Sequence, residues 1–136
     1  MDLDDARTFL REHHRAVLHT ARASGAPQLS PVVAGVDDAG DVLISTRAAS
    51  MKVTNLRRDP RASLCAFTED FFGPWIRVDG VVTVEELPAA MRGLVALYRQ
   101  VAGEHDDWDE FERAMHDEQR VLLRLRPEAA GPDRAG

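Results

Sequence analysis

The sequence predicts an antiparallel β-barrel decorated by helices, an α+β fold that is mainly β. Three observations lead there. Six apolar runs of strand length recur along the chain, and most follow one another directly. Short turn signals such as Ser24-Gly25-Ala26-Pro27 and Asp37-Asp38-Ala39-Gly40-Asp41 join them, as hairpins require. Four segments carry a helical period, but they do not alternate with the strands as a parallel sheet would demand.

Residues 2–13 put Leu3, Ala6, Phe9 and Leu10 on one helical face, with Asp2, Asp4 and Asp5 at the end where the helix dipole favours acids. Arg15–Arg22 and Gln28–Val36 read as a hairpin. Pro31 cannot donate to a ladder and marks an edge or a bulge. Val42-Leu43-Ile44 forms the next strand. Arg61–Phe67 and Trp75–Glu85 are strands flanking a loop that carries Phe71 and Phe72. Ile76, Val78 and Val82 alternate with Arg77, Asp79 and Thr83, and the interruption at Gly80-Val81 signals a bulge. Residues 89–102, stopped by Gly103, and 107–117 are helices. Trp108 and Phe111 recur at a spacing that suits packing rather than a site. Val121–Leu125 is the last strand. The domain is read as residues 1–126, followed by a flexible tail, 127–136.

A formal net charge of −6 over 136 residues argues against nucleic acid as the main partner, since phosphate backbones need a basic footprint. The charge is uneven. Eight acids between Glu104 and Glu118 read as a solvated face, whereas five bases between Arg47 and Arg61 oppose one acid, Asp59. One basic patch on an acidic protein suits a small anionic ligand. No apolar run reaches membrane-spanning length and the N-terminus is too acidic for a signal peptide, so a cytoplasmic protein with no membrane partner is expected. Cys65 is the single cysteine and reads as a buried, reduced thiol in a strand. The histidines lack metal-ligand spacing, and no P-loop, G-x-G-x-x-G or G-x-S-x-G motif is present. No residue stands out as catalytic, and hard chemistry would come from a cofactor.

The chemical content concentrates in DVLISTRAASMKVTNLRRDPRASL, Asp41–Leu64. It reads as strand, turn, helix from about Ala48 to Arg58, stop and strand. Pro60 provides the stop, because it pushes Asp59 out of the α region. Lys52 is the only lysine beside 16 arginines, and it falls in the first helical turn, where the dipole disfavours a cation. Either an anion sits there, with Lys52, Ser45, Thr46 and the helix amides converging on a phosphate, or Lys52 is simply solvated. Spacing alone leaves both readings open.

The order S-T-x-x-x-x-x-K-x-x-N-L-R-R-D-P-R-x-S-L, Ser45–Leu64, resembles the pyridoxamine phosphate oxidase-like split β-barrel superfamily. Pro27–Val32, Trp75–Val82, Leu97–Phe111 and Arg120–Leu125 agree with it. The Y-R-x-x-A-G-E-H-x-D-W run is closest to the deazaflavin branch, which uses coenzyme F420. The resemblance implies a six-stranded antiparallel split β-barrel with peripheral helices, forming a homodimer with the cofactor in a groove between subunits. It implies an F420-dependent oxidoreductase that exchanges a hydride with a small organic substrate. Carried over by position, Lys52 and Thr46 would hold the cofactor phosphate, with Ser45 nearby and Asn55 one turn along the helix. Gln28 and Ser30 would lie against the polar edge of the ring, and Trp75 would form pocket wall. Arg22, Arg47 and Arg57 are candidates for the acidic tail. The chain departs from some relatives at Ser50, where they carry arginine, which bears on tail binding. The alternatives are an FMN-dependent oxidase or reductase of the same superfamily, a cofactor carrier or sensor without turnover, and a structural dimer with a vestigial groove.

Overall fold

The computed structural model describes residues 1–133. Helix α1 (Leu3–Glu12) precedes the hairpin β1 (Arg15–Ala21) and β2 (Pro27–Val36). Then come β3 (Val42–Arg47), α2 (Met51–Arg58), β4 (Arg61–Phe67), β5 (Trp75–Glu85), α3 (Met91–Ala102), α4 (Trp108–Asp117) and β6 (Arg120–Gly131). The strands close into an antiparallel barrel in the order β1-β2-β3-β6-β5-β4. No helix among the described residues is long and apolar enough to cross a membrane.

Alternation along the strands fills the barrel. Leu18, Ala34, Ile44, Leu64, Ile76, Val78, Leu123 and Leu125 point inward and are buried. Each such side chain contributes roughly 1.5–3 kcal/mol relative to exposure. Ala6 and Leu10 from α1, and Val53 and Leu56 from α2, complete this core. A second core lies outside the barrel wall. There Leu43 of β3 and Leu122 of β6 are covered by Leu94 and Leu97 of α3 and by Phe111 of α4.

The barrel closes, but its pairing is shortest along one seam. β1 and β2 pair over Arg15↔Val33 to Ala21↔Pro27, but β2 meets β3 only at Ala34↔Ile44, Gly35↔Leu43 and Val36↔Val42. Pro31 lies in the part of β2 that pairs with β1 but not with β3. The Ala34 amide donates to His14, so even-numbered residues of β2 bond to β1. The Pro31 nitrogen therefore faces the open side, where no donor is needed.

Two expectations are corrected. Strand β3 runs on through Arg47, paired with Arg120, and a turn closed by the Ser50 amide on the Arg47 carbonyl delays α2 to Met51 rather than Ala48. The expected tail is in part a strand. β6 continues to Gly131 because Pro127 to Gly131 align with Gly80 to Arg77 of β5 across a register shift at Asp79/Gly80. Pro127 fits there because the register is already broken. The end of the expected tail, residues 134–136, lies outside the described residues.

Candidate functional site

The seam between β2 and β3 opens into a groove of about 1070 Å³ roofed by α3 and α4. One wall is the barrel: Ala16, Val17, Pro31, Val32 and Val33, with Phe67 beside them. The other is helical: Leu94, Leu97, Tyr98, Val101, Phe111 and Met115. Tyr98 packs edge-on against Trp108 and Phe111, at centroid distances of 5.8 and 5.2 Å, which fixes the corner between the two helices.

The polar end is built where β3 stops and α2 starts. Ser45, Thr46, Arg47, Ser50, Lys52 and Arg120 line it, and no carboxylate is among the lining residues. Thr46 donates its hydroxyl to Ser50 Oγ at 3.3 Å. Ser50 occupies the N-cap of α2 but makes no side-chain cap, and the first turn holds no acid. The Met51 and Lys52 amides find no acceptor among the described residues. These are the orphan donors that a helix end offers to an anion. Lys52 makes no ion pair among the described residues. Burial, and then the neighbouring Arg120 guanidinium, push its ammonium below the usual lysine range.

Of the residues expected at the site, Ser45, Thr46, Arg47 and Lys52 come together here. The rest lie elsewhere. Asn55 is turned inward, almost fully buried, and donates to the equally buried Thr20 hydroxyl at 3.1 Å. Asn55 shares a neighbouring face with Lys52 but lies on the flank of α2 that is buried against Thr20. Gln28 is half-buried opposite Thr20 in the β1–β2 ladder. Ser30 faces inward on β2, and its buried Oγ has no hydrogen-bond partner among the described residues. Trp75 starts β5 opposite Phe67, is 39% exposed and does not line the groove. Arg57 pairs with Glu86 at 2.8 Å, and Arg22 stands exposed after β1; neither lines the groove.

Arg120, Arg15 and Tyr98 also line the site and were not singled out as binding residues in the sequence; Ser50, noted there as a departure from relatives, lines it too. Arg120 arrives only through the pairing of β6 with β3, which puts it directly opposite Arg47. Nothing local in R-V-L-L-R-L marks it.

The family model for pyridoxamine 5′-phosphate oxidase matches residues 3–131. Among solved structures, a conserved hypothetical protein of Mycobacterium tuberculosis superposes with a TM-score of 0.78 at 26% identity, covering 96% of this chain and 82% of that one. An F420 reductase superposes with a TM-score of 0.71 at 19% identity, covering 92% and 94%. The heme storage protein HutZ of Vibrio cholerae gives 0.72 at 17% identity, covering 96% and 94%. The last two share the fold with this chain while their names speak of different ligands. With the six-stranded barrel, its seam groove and a match over nearly the whole chain, the protein belongs to the pyridoxamine 5′-phosphate oxidase family.

Proposed function

We propose that the chain is an F420-dependent oxidoreductase acting on a small organic substrate, with the cofactor lying along the seam groove. The observation that carries the reading is the Lys52 ammonium, unpaired among the described residues, beside two helix amides that find no acceptor among them, at the polar end of a long apolar groove. A flat, amphipathic cofactor with a phosphate fits that division. When bound, the deazaflavin supplies hydride transfer at its C5. The chain's own residues anchor and shield. Lys52, Thr46, Ser50 and the Met51 and Lys52 amides would hold the phosphate. The apolar walls from Val17 to Val33 and from Leu94 to Met115 would orient the ring and keep water away.

FMN carries a similar phosphate and is the competing occupant. Arg47 and Arg120 extend the cationic end beyond Lys52, which favours the cofactor with an acidic tail. A second copy of this chain is the proposed partner. Leu29 at 61% exposure, Phe71, Phe72 and Trp75 are large apolar side chains left exposed outside the groove, which a second copy would cover.

The test is a side-by-side fluorescence titration with F420 and FMN, followed by reoxidation of the reduced F420 complex with a panel of quinones, nitroaromatics and enones. Tighter binding of F420 and acceptor-dependent reoxidation support the reading. Preference for FMN moves the chain to the flavin reading, and F420 binding without reoxidation by any acceptor makes it a carrier.

A further inference from the structure

We infer that Glu118 is an internal counter-ion held by the arginines of the groove, which an anionic group on the ligand must displace. The inference rests on the cofactor-site reading above and concerns how that site is tuned.

Glu118 caps the end of α4, and β6 begins two residues later at Arg120. Between them Gln119 takes φ 53°, the only positive φ at a non-glycine residue among the described residues. That left-handed turn folds the chain back on itself and sets Glu118 beside Arg120. Glu118 Oε1 accepts from Arg120 Nε at 3.1 Å and from Nη2 at 2.8 Å. It also lies 3.8 Å from Nη2 of Arg47. Arg47 and Arg120 are direct cross-strand partners, so their side chains leave the sheet on the same face, and like charges so placed repel. One carboxylate relieves both.

Both arginines line the groove and Glu118 does not. The Nε/Nη2 edge of Arg120 is the fork that grips a carboxylate or phosphate, and it can serve one anion at a time. Glu118 thus occupies donors that a second anionic group on the ligand would use. Lys52 has no such competitor among the described residues. The polar end therefore has two grades: Lys52 and the helix amides, open to a single phosphate, and the Arg120 fork beside Arg47, yielded only to a ligand that can replace Glu118. Glu118 would make the site discriminate by the number of separated anionic groups, not by the presence of one phosphate.

The experiment measures dissociation constants for F420 and for FMN in wild type, Glu118→Gln and Lys52→Ala, with thermal melts as a check on folding. Glu118→Gln should bind F420 about three- to fivefold tighter. The gain should shrink at high salt and be smaller for FMN, which has one phosphate. Glu118→Asp, too short for the same grip, should move affinity in the same direction and serves if the glutamine variant folds poorly. Weaker or unchanged F420 binding in these variants, while Lys52→Ala still loses affinity, overturns the role of Glu118 alone. If neither cofactor binds wild type or Glu118→Gln, or Lys52→Ala binds as wild type does, the site reading falls and this inference with it.

Discussion

Gln100 clasps the backbone of Val36 at both ends of its amide. The Val36 amide donates to Gln100 Oε1 at 2.7 Å, and Gln100 Nε2 donates to the Val36 carbonyl at 2.7 Å. The side chain thereby acts as an extra strand residue and ties α3 to β2. The tie matters because Leu97, Tyr98 and Val101 of the same helix roof the groove. Gly35 leaves room for it, since a Cβ there would stand 2.5 Å from Gln100 Oε1.

Gln100→Ala should therefore destabilise the protein by about 1–3 kcal/mol, because it strands two half-buried backbone groups. Urea denaturation checks the magnitude. Faster hydrogen exchange at the Val36 amide would localise it.

Asn55 and Thr20 form a buried pair, which turns a residue expected at the cofactor into a structural one. Thr20→Val keeps the shape and removes the acceptor, leaving the Asn55 amide unsatisfied. The expected cost is about 1–3 kcal/mol of stability with cofactor affinity unchanged. Calorimetric titration together with a denaturation curve separates the two effects.

The two tightest glycines should respond unequally to alanine. A Cβ at Gly80 would sit 2.2 Å from the Arg126 carbonyl oxygen, on backbone that the β5–β6 ladder holds. A Cβ at Gly93 would meet only the Leu122 side chain, at 2.2 Å, and helix propensity returns about 1 kcal/mol. Gly80→Ala should cost at least about 3 kcal/mol, and Gly93→Ala about 1–2 kcal/mol. Thermal melts of the two variants rank them.

Much of the fold was legible because it depends on local pattern. Strand alternation, the Gly103 stop, the Pro60 stop and the interruption at Gly80 are all read within a few residues. The polar end of the groove was half legible. Ser45, Thr46 and Lys52 share one short stretch with the helix start that presents them. Arg120 lies 68 positions after Lys52 in the chain, and only the β3–β6 register brings it near. Asn55 misled for the opposite reason: its spacing from Lys52 is right for the same helix face, but α2 must bury that flank over Thr20. The extension of β6 to Gly131 depends on a distant partner, β5, so P-E-A-A-G read alone resembles a tail.

Lys52 gives a pH signature. Its pKa is lowered in the folded protein, by burial first and Arg120 second. The cost of holding the ammonium is therefore present at neutral pH and is relieved as pH rises through the lowered pKa toward the unfolded value. A bound anion favours the charged form, so affinity for the anionic cofactor should fall on the alkaline side at a pH below the usual lysine range. Lys52→Arg should abolish that limb. Titrations of F420 from pH 7 to pH 10 in both proteins check it.

The central claim is that Lys52 anchors the phosphate of a redox cofactor. Its most direct measurement is the dissociation constant of F420 for wild type and Lys52→Ala, under the same buffer and salt. A charge-assisted contact of roughly 1.5–3 kcal/mol predicts a loss of about tenfold or more. Equal affinity in the two proteins would contradict the claim.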